Sequence, residues 1–481
     1  MKRRAALALL LALLAALGPL AARADGIALR NVLGQWHFVR EDTGALFVPR
    51  GMNYVRLDDY VVPIQDTFDP ATYDPCAVET ALRQMELSGY NVVRITLDSR
   101  YLIWDGQNLR GPGIATDFAD ILTDFLQRAQ YHGLRVVLAL RFVPNNYRGL
   151  WPPSPWNITG DNREIFNSTY ARVRARVWTD LLAAIPGWLR GAIFALDIYD
   201  EAYASSTDAP FVGVGWFVFG GVPYRMFVPA DRQALLDAAT VPWANSIIAA
   251  IKQVDPDMLV SVSIGSPVQV GHPGYDGVNS SVGNNNEYPL RLTALARSNV
   301  DFVDMHFYPL GVGYDSAGDF DSVELNPAVV LGKPLIMSEF GMVRALYPDP
   351  VEARASLLVH LATSCRYGFA GWILWDWDTT ERGDLWWAAM QDDQALNNEL
   401  APVLRPRICA PIPAGDAIVS INGAGMIVAS DGRSWCAFDS WQHFLDITGL
   451  DGPHAAAYAA TLQRYTRVPP EMHYNGICGA K

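Results

Sequence analysis

Eight short apolar runs, separated by helical patterns, leave this chain few folds to choose from. The runs are Val48–Tyr54, Val92–Ile95, Arg135–Leu140, Ile193–Ile198, Leu259–Ser263, Phe302–His306, Pro334–Ser338 and Gly371–Trp375. Apolar runs without polar alternation read as strands buried on both faces, the condition of a parallel sheet. Helical patterns fall between them at Val78–Leu87, Phe118–Tyr131, Ile165–Ala184, Arg232–Val254, Leu290–Ser298 and Val351–Tyr367, with weaker ones near Asn326–Leu331 and Leu396–Val403. Eight such units over about 360 residues suit a closed (β/α)8 TIM barrel, an α/β fold. An open doubly wound sheet is the alternative. It would carry a Gly-rich turn after its first strand, where this chain has Arg50-Gly-Met-Asn-Tyr54. Ahead of the barrel, Gln35–Gly44 reads as a hairpin turning at Asp42-Thr-Gly44 and plugging the barrel's N-terminal end.

Two of the runs stop at a carboxylate. Glu201 closes the stretch that begins at Ile193, and Glu339 closes Lys333-Pro-Leu-Ile-Met-Ser-Glu339. Active sites of such barrels are built at the C-terminal ends of the strands. Two carboxylates there, far apart in sequence, are what glycoside hydrolysis needs: one protonates the leaving oxygen, the other attacks or activates water. Each glutamate alone could simply cap a strand and pair with an arginine. Arg94, His306, Tyr308 and Trp375 also fall at strand ends and should converge on the same rim. Arg94 and Tyr308 can donate to an ionised carboxylate, and Trp375 can floor a sugar ring. A general acid needs a raised pKa, which a nearby negative charge helps to supply.

The first residues have another purpose. Lys2, Arg3 and Arg4 precede an apolar run from Ala5 to Leu17, and Ala22-Arg23-Ala24 offers a small-x-small cleavage site. Residues 1–24 read as a secretory signal peptide, and the run is short for a membrane span. Exported, the chain would be soluble and monomeric, without stable membrane insertion. Removing its four basic residues takes Lys and Arg from 37 to 33 against 50 acidic residues, so the net charge becomes about −17. That surface disfavours nucleic acid and anionic polymers as partners; a neutral polysaccharide or oligosaccharide is compatible with it, though the charge itself does not point there. The cysteines are Cys76, Cys365, Cys409, Cys436 and Cys478, an odd number, and Cys436–Cys478 is the preferred bridge. No CxxC or zinc-spaced cluster occurs, so no metal or other cofactor is expected. Two connections, Val143–Asn162 and Tyr203–Pro229, are long and aromatic and read as cleft walls. The barrel should occupy residues 25–409. A linker at Ala410–Gly415 leads to a small C-terminal module at 416–481, with strands near Ala417–Ile421, Gly425–Ala429 and Ser434–Phe438.

Taken in order, these pieces resemble the retaining glycoside hydrolases of clan A, the cellulase-like family 5 among them. The match runs from about Gly34 to Pro406 through Arg50-Gly-Met-Asn53, Arg94, Glu201, His306-Phe-Tyr308, Ser338-Glu339-Phe-Gly341 and Trp375. The resemblance implies Glu201 as acid/base and Glu339 as nucleophile. It implies that Arg94 and Tyr308 tune Glu339 and that His306 and Trp375 line a sugar subsite. The substrate it implies is a β-glucan or a β-mannan. The chain departs from the family twice. Asp200 stands where the family's Asn donates to the sugar 2-hydroxyl, and an ionised Asp can only accept. Arg141 lies near the place of a frequent histidine after the third strand. A weak or inactive barrel that binds glycan, or acts at a cell surface, is the competing expectation. The C-terminal module resembles short repeats appended to exported bacterial proteins.

Overall fold

The computed structural model describes residues 26–403 apart from 33–34, 57–66, 104–110, 152, 154–157, 161, 266–286, 310–319, 321–329, 379–386 and 392–393. Beyond them it describes residues 417–421, 426–430, 434–437, 440–442, 464–465 and 473–477. The leader, the linker at Ala410–Gly415 and all of the pattern near Asn326–Leu331 but its last two residues, which form a turn, lie outside these residues. So do the side chains of Cys436 and Cys478.

An antiparallel hairpin comes first, β1 (Ile27–Val32) against β2 (Gln35–Arg40). The sheet strands β3 (Arg50–Asn53), β4 (Val92–Leu97), β5 (Arg135–Leu140) and β6 (Ile193–Asp197) follow. Three short strands lie in the connection after them: β7 (Tyr203–Ser205), β8 (Trp216–Phe219) and β9 (Val222–Arg225). Next come β10 (Val260–Ser261), β11 (Ser263–Gly265) and β12 (Glu287–Pro289), which pairs with β7. β13 (Val303–His306), β14 (Leu335–Glu339) and β15 (Phe369–Leu374) complete the set. The main sheet runs β10-β6-β5-β4-β3-β15-β14-β13-β11, with every pairing parallel.

The two ends of that order are one stretch of chain, interrupted at Val262. The sheet therefore closes on itself as a (β/α)8 barrel whose fifth strand is split. The break has a local cause. The Ser263 amide donates to the buried Asp197 carboxylate at 2.9 Å instead of joining a backbone ladder.

All eight expected strands are present, with ends displaced by a residue or two. The helix expected over Ile165–Ala184 divides into Asn162–Phe166 and Ser168–Ala184. Asn167 sits at the joint in extended conformation, and its side chain accepts from the Thr169 amide at 2.9 Å, a strong N-cap. Pro229–Val254 begins with proline in its first turn, where the missing N–H costs nothing. By length and composition this helix could cross a bilayer, yet Leu235, Ala239, Trp243 and Ile247 are buried in the layer around the barrel.

The N-terminal hairpin differs from its expectation. Gln35–Arg40 pairs with the preceding strand β1, which carries no turn signal that sequence reasoning used. The turn at Asp42–Gly44 is also present, with the Gly44 amide donating to the Arg40 carbonyl at 2.8 Å. Gly44 has φ +65, a conformation that favours glycine. Together these bring Phe38 and Phe47 under the barrel. Phe38 meets Phe194 at 5.1 Å and Phe302 at 5.3 Å, in a cluster with Val92, Leu259, Ile336 and Ile373. Residues at the starts of the strands thus share an apolar plug, and the opposite end is left for polar groups.

The backbone of the C-terminal strands Ala417–Ile421, Met426–Ser430, Ser434–Ala437, Arg464–Tyr465 and His473–Ile477 pairs in a separate five-stranded sheet.

Candidate active site

The C-terminal ends of six barrel strands deliver polar side chains to one place. Asn53 ends β3, Arg94 lies within β4, and Arg141 follows β5. Asp197, Asp200 and Glu201 lie at and beyond the end of β6. His306 ends β13 with Tyr308 two residues on, and Glu339 ends β14. Successive side chains of a strand alternate between faces, so Arg94 points into the barrel between apolar neighbours that pack outward.

Glu339 is held from two sides. Arg94 Nη1 donates to its Oε1 at 2.5 Å, and the Tyr308 hydroxyl donates to its Oε2 at 2.7 Å. Arg94 is wholly buried and shared. Its Nη2 also reaches Asp200 at 2.5 Å and Asp197 at 3.1 Å, and Nη1 donates to Asn53 Oδ1 at 3.0 Å. One guanidinium thus serves three carboxylates. Burial raises the pKa of Glu339, and the charges of Asp200 and Glu201 push the same way, more than His306 and Arg94 pull it down.

Glu201 is more open, with its side chain 34% exposed against 8% for Glu339. Its backbone has φ +51, uncommon for a residue with a side chain, and its amide donates to Ser263 Oγ at 2.9 Å. His306 Nδ1 stands 3.3 Å from Oε1, and Arg141 Nη1 donates to Oε2 at 3.0 Å. Burial opposes ionisation, but the hydrogen bond to His306 and the charges of His306, Arg141 and Arg94 outweigh it and hold the carboxyl at about 2. This corrects the expectation that a nearby negative charge, which Asp200 would supply, raises the pKa of the general acid. Arg94 pairs with Asp200, while His306 and Arg141 hydrogen-bond or pair with the Glu201 carboxylate.

His306 links the two glutamates. Its Nδ1 is also 3.4 Å from Glu339 Oε2, and its Nε2 is 3.2 Å from Ser338 Oγ. Burial disfavours a charged ring, but Glu339 and Glu201 prevail and raise its pKa to about 9. An oxygen of Glu201, an oxygen of Glu339 and a nitrogen of His306 all lie within 4.8 Å of one another. Asp197, Asp200 and His306 are grouped as closely. The carboxylates of both clusters are already paired with arginines, Asp197, Asp200 and Glu339 with Arg94 and Glu201 with Arg141, so we assign neither cluster to a metal.

Beneath the rim, Asp197 and Asp304 are fully buried. Asp304 Oδ1 accepts from the Ser338 amide at 3.2 Å, while Oδ2 has no hydrogen-bond partner among the described residues. Burial and the neighbouring Asp197 raise Asp304 to about 7, against the weaker pull of His306 and Arg94. Trp375, just past β15, is 8% exposed and packs with Tyr308 and Val55.

The family Cellulase (glycosyl hydrolase family 5) matches residues 57–381. The chain belongs to glycosyl hydrolase family 5. Its barrel is a glycoside hydrolase domain. Among solved structures it is similar in fold to the exo-β-1,4-mannosidase Op5Man5 of Opitutaceae bacterium strain TAV5, at 16% identity and TM-score 0.46 over 77% of this chain and 58% of that one. It is similar to the endo-β-1,4-mannanase of Thermotoga petrophila at 14% identity and TM-score 0.48, over 80% of each chain. An endocellulase of Pyrococcus horikoshii matches at 18% identity and TM-score 0.45, over 78% of this chain and 96% of that one. No curated protein matches the sequence. None of these likenesses bears on which glycan the chain cleaves.

All seven residues singled out from the sequence of this family 5 chain are at the rim, but not all face the cleft. Asp200 is 6% exposed and turned onto Arg94 and Ser263. Asp197, Asp304, Ser263 and Ser338 were not singled out. Their signal was a polar residue inside an otherwise apolar strand. The long connection Tyr203–Pro229 divides its aromatics: Phe211 and Phe217 are buried against Phe166 and Tyr288, while Trp216 and Phe227 face outward.

Proposed function

We propose that the chain is an exported, retaining hydrolase of β-linked glycans, a β-glucan or a β-mannan, acting by double displacement without a cofactor. The observation that carries this reading is the spacing of the glutamates, whose nearest oxygens lie within 4.8 Å. Retaining pairs stand about 5–5.5 Å apart, whereas inverting pairs stand about 6.5–9.5 Å apart to admit a water. Glu339 attacks the anomeric carbon, since Arg94 and Tyr308 hold both its oxygens and stabilise its charge. Glu201 protonates the leaving oxygen and later takes a proton from water. His306 Nδ1, 3.3 Å from Glu201 Oε1, can pass a proton to it, which the Arg141 guanidinium cannot. A bound sugar would cover the exposed face of Glu201, strip its water and favour the protonated form. Trp375 and His306 would line the subsite.

Export rests on the basic start, the apolar run and Ala22-Arg23-Ala24. The same reading makes the exported chain a monomer carrying a small C-terminal module. Proton NMR of the first-formed product tests the stereochemistry. The β-anomer should appear first and then mutarotate; the α-anomer appearing first would sink the double displacement.

A further inference from the structure

We propose that Arg141 is the positioning residue of the acid/base, fixing the Glu201 carboxylate and setting the pH range in which it donates its proton. The inference rests on the reading of Glu201 given above. Arg141 is the first residue beyond β5, so a barrel strand anchors it. Its Nη1 donates to Glu201 Oε2 at 3.0 Å, while Oε1 lies 3.3 Å from His306 Nδ1. The two oxygens are thus claimed by cations from different strands, and the backbone below is tied to Ser263. Arg141 is itself placed by aromatic faces, 5.6 Å from the Phe142 ring and 6.0 Å from the Tyr203 ring. The Arg141–Glu201 pair lies at the cleft mouth, where both side chains are 34% exposed.

Among the described residues, the charged groups near Glu201 can be weighed. His306 and Arg94 favour its ionised form, as Arg141 does. Glu339 and Asp200 carry the opposing charges, and Arg94 binds both. Tyr308 is committed to Glu339, and burial holds its hydroxyl well above the ordinary range. His306 loses its charge near pH 9, but a guanidinium keeps its charge throughout the working range. A histidine in the place of Arg141 would lose its influence as pH rose through neutrality. Arg141 therefore makes Glu201 a stronger acid that is less often protonated. When Glu201 gives its proton to the leaving oxygen, the carboxylate that results falls into a waiting ion pair.

The test is the pH dependence of kcat/KM for Arg141→Gln and Arg141→Lys on an unactivated oligosaccharide. Arg141→Gln should move the basic limb upward by about one pH unit, the low end of what one nearby opposite charge supplies. Arg141→Lys, which keeps the charge and loses the fork, should move it less. An aryl glycoside with a very good leaving group should show no such displacement, because it needs little protonation. A merely structural arginine would lower activity at every pH, and a basic limb unchanged in both variants overturns the proposal. Glu201→Ala separates the two claims. If it harms activated and natural substrates equally, the assignment of Glu201 has failed. If it spares the activated one while the Arg141 limbs stay put, only the present inference has failed.

Discussion

Glu339 and Glu201 differ in what surrounds them, and the division of work proposed for them rests on that difference. Glu339→Gln should abolish hydrolysis with the melting temperature near wild type, since an amide can still meet Tyr308 but cannot form the ester. Glu201→Ala should cost about 10²–10⁴ on natural substrates and much less on activated aryl glycosides. Asp200→Asn removes a charge that raises Glu339 while leaving an oxygen for Arg94. The acid limb of kcat/KM, which reports ionisation of the nucleophile, should then fall to lower pH; an unmoved limb would detach Asp200 from Glu339. Asp304 gives a stability test. Its pKa is about 7 when folded and 3.8 by ordinary standards, so its contribution is intact below about pH 4 and lost as pH rises through 7. Asp304→Asn should therefore gain on wild type in melting temperature between pH 4 and 7. A constant gap across that range would mean that Asp304 does not carry the proton. The strand-end carboxylates were legible in the sequence because an ionised side chain ending an apolar run has few structural excuses. The environment of Glu201 was not, because Asp200 is its neighbour in sequence while Arg141 and His306 are its neighbours in space.

At the scale of elements, the barrel could be read because each parallel strand is buried on both faces and shows an unbroken apolar run. Arg135–Leu140 has the limits expected of it. Leu259–Ser263 hid its break, since a side-chain carboxylate taking one amide leaves no mark on hydropathy. β1 was missed because Ile27–Val32 mixes polar and apolar residues, as a half-exposed hairpin strand should. The plug it helps to form can be tested. Phe38→Ala should cost about 3–5 kcal/mol in urea unfolding, as for other buried aromatic truncations. A loss below about 1 kcal/mol would mean that the hairpin merely rests on the barrel. On the opposite end, a Cβ added at Gly341 would lie 2.3 Å from the Trp375 carbonyl oxygen. Gly341→Ala should therefore displace Trp375 and lower kcat/KM, whereas wild-type kinetics would show that the loop yields freely.

For the whole molecule, eight units close before Pro406, and the following Pro-rich segment reads as a linker. Deleting residues after Pro411 should leave a folded barrel that is active on small soluble substrates. Insolubility or a large drop in melting temperature would show that the C-terminal strands are part of the barrel's support. The strongly acidic chain, with 37 Lys and Arg against 50 Asp and Glu, should show no salt-dependent binding to nucleic acid. The division of labour between the glutamates is the claim on which the rest depends. Incubation with a 2-deoxy-2-fluoro β-glycoside bearing a good leaving group, followed by peptide mass mapping, tests it most directly. The account predicts one sugar per chain on the peptide containing Glu339, with activity lost in step. A label on the Glu201 peptide, or none despite turnover of the parent glycoside, would contradict it.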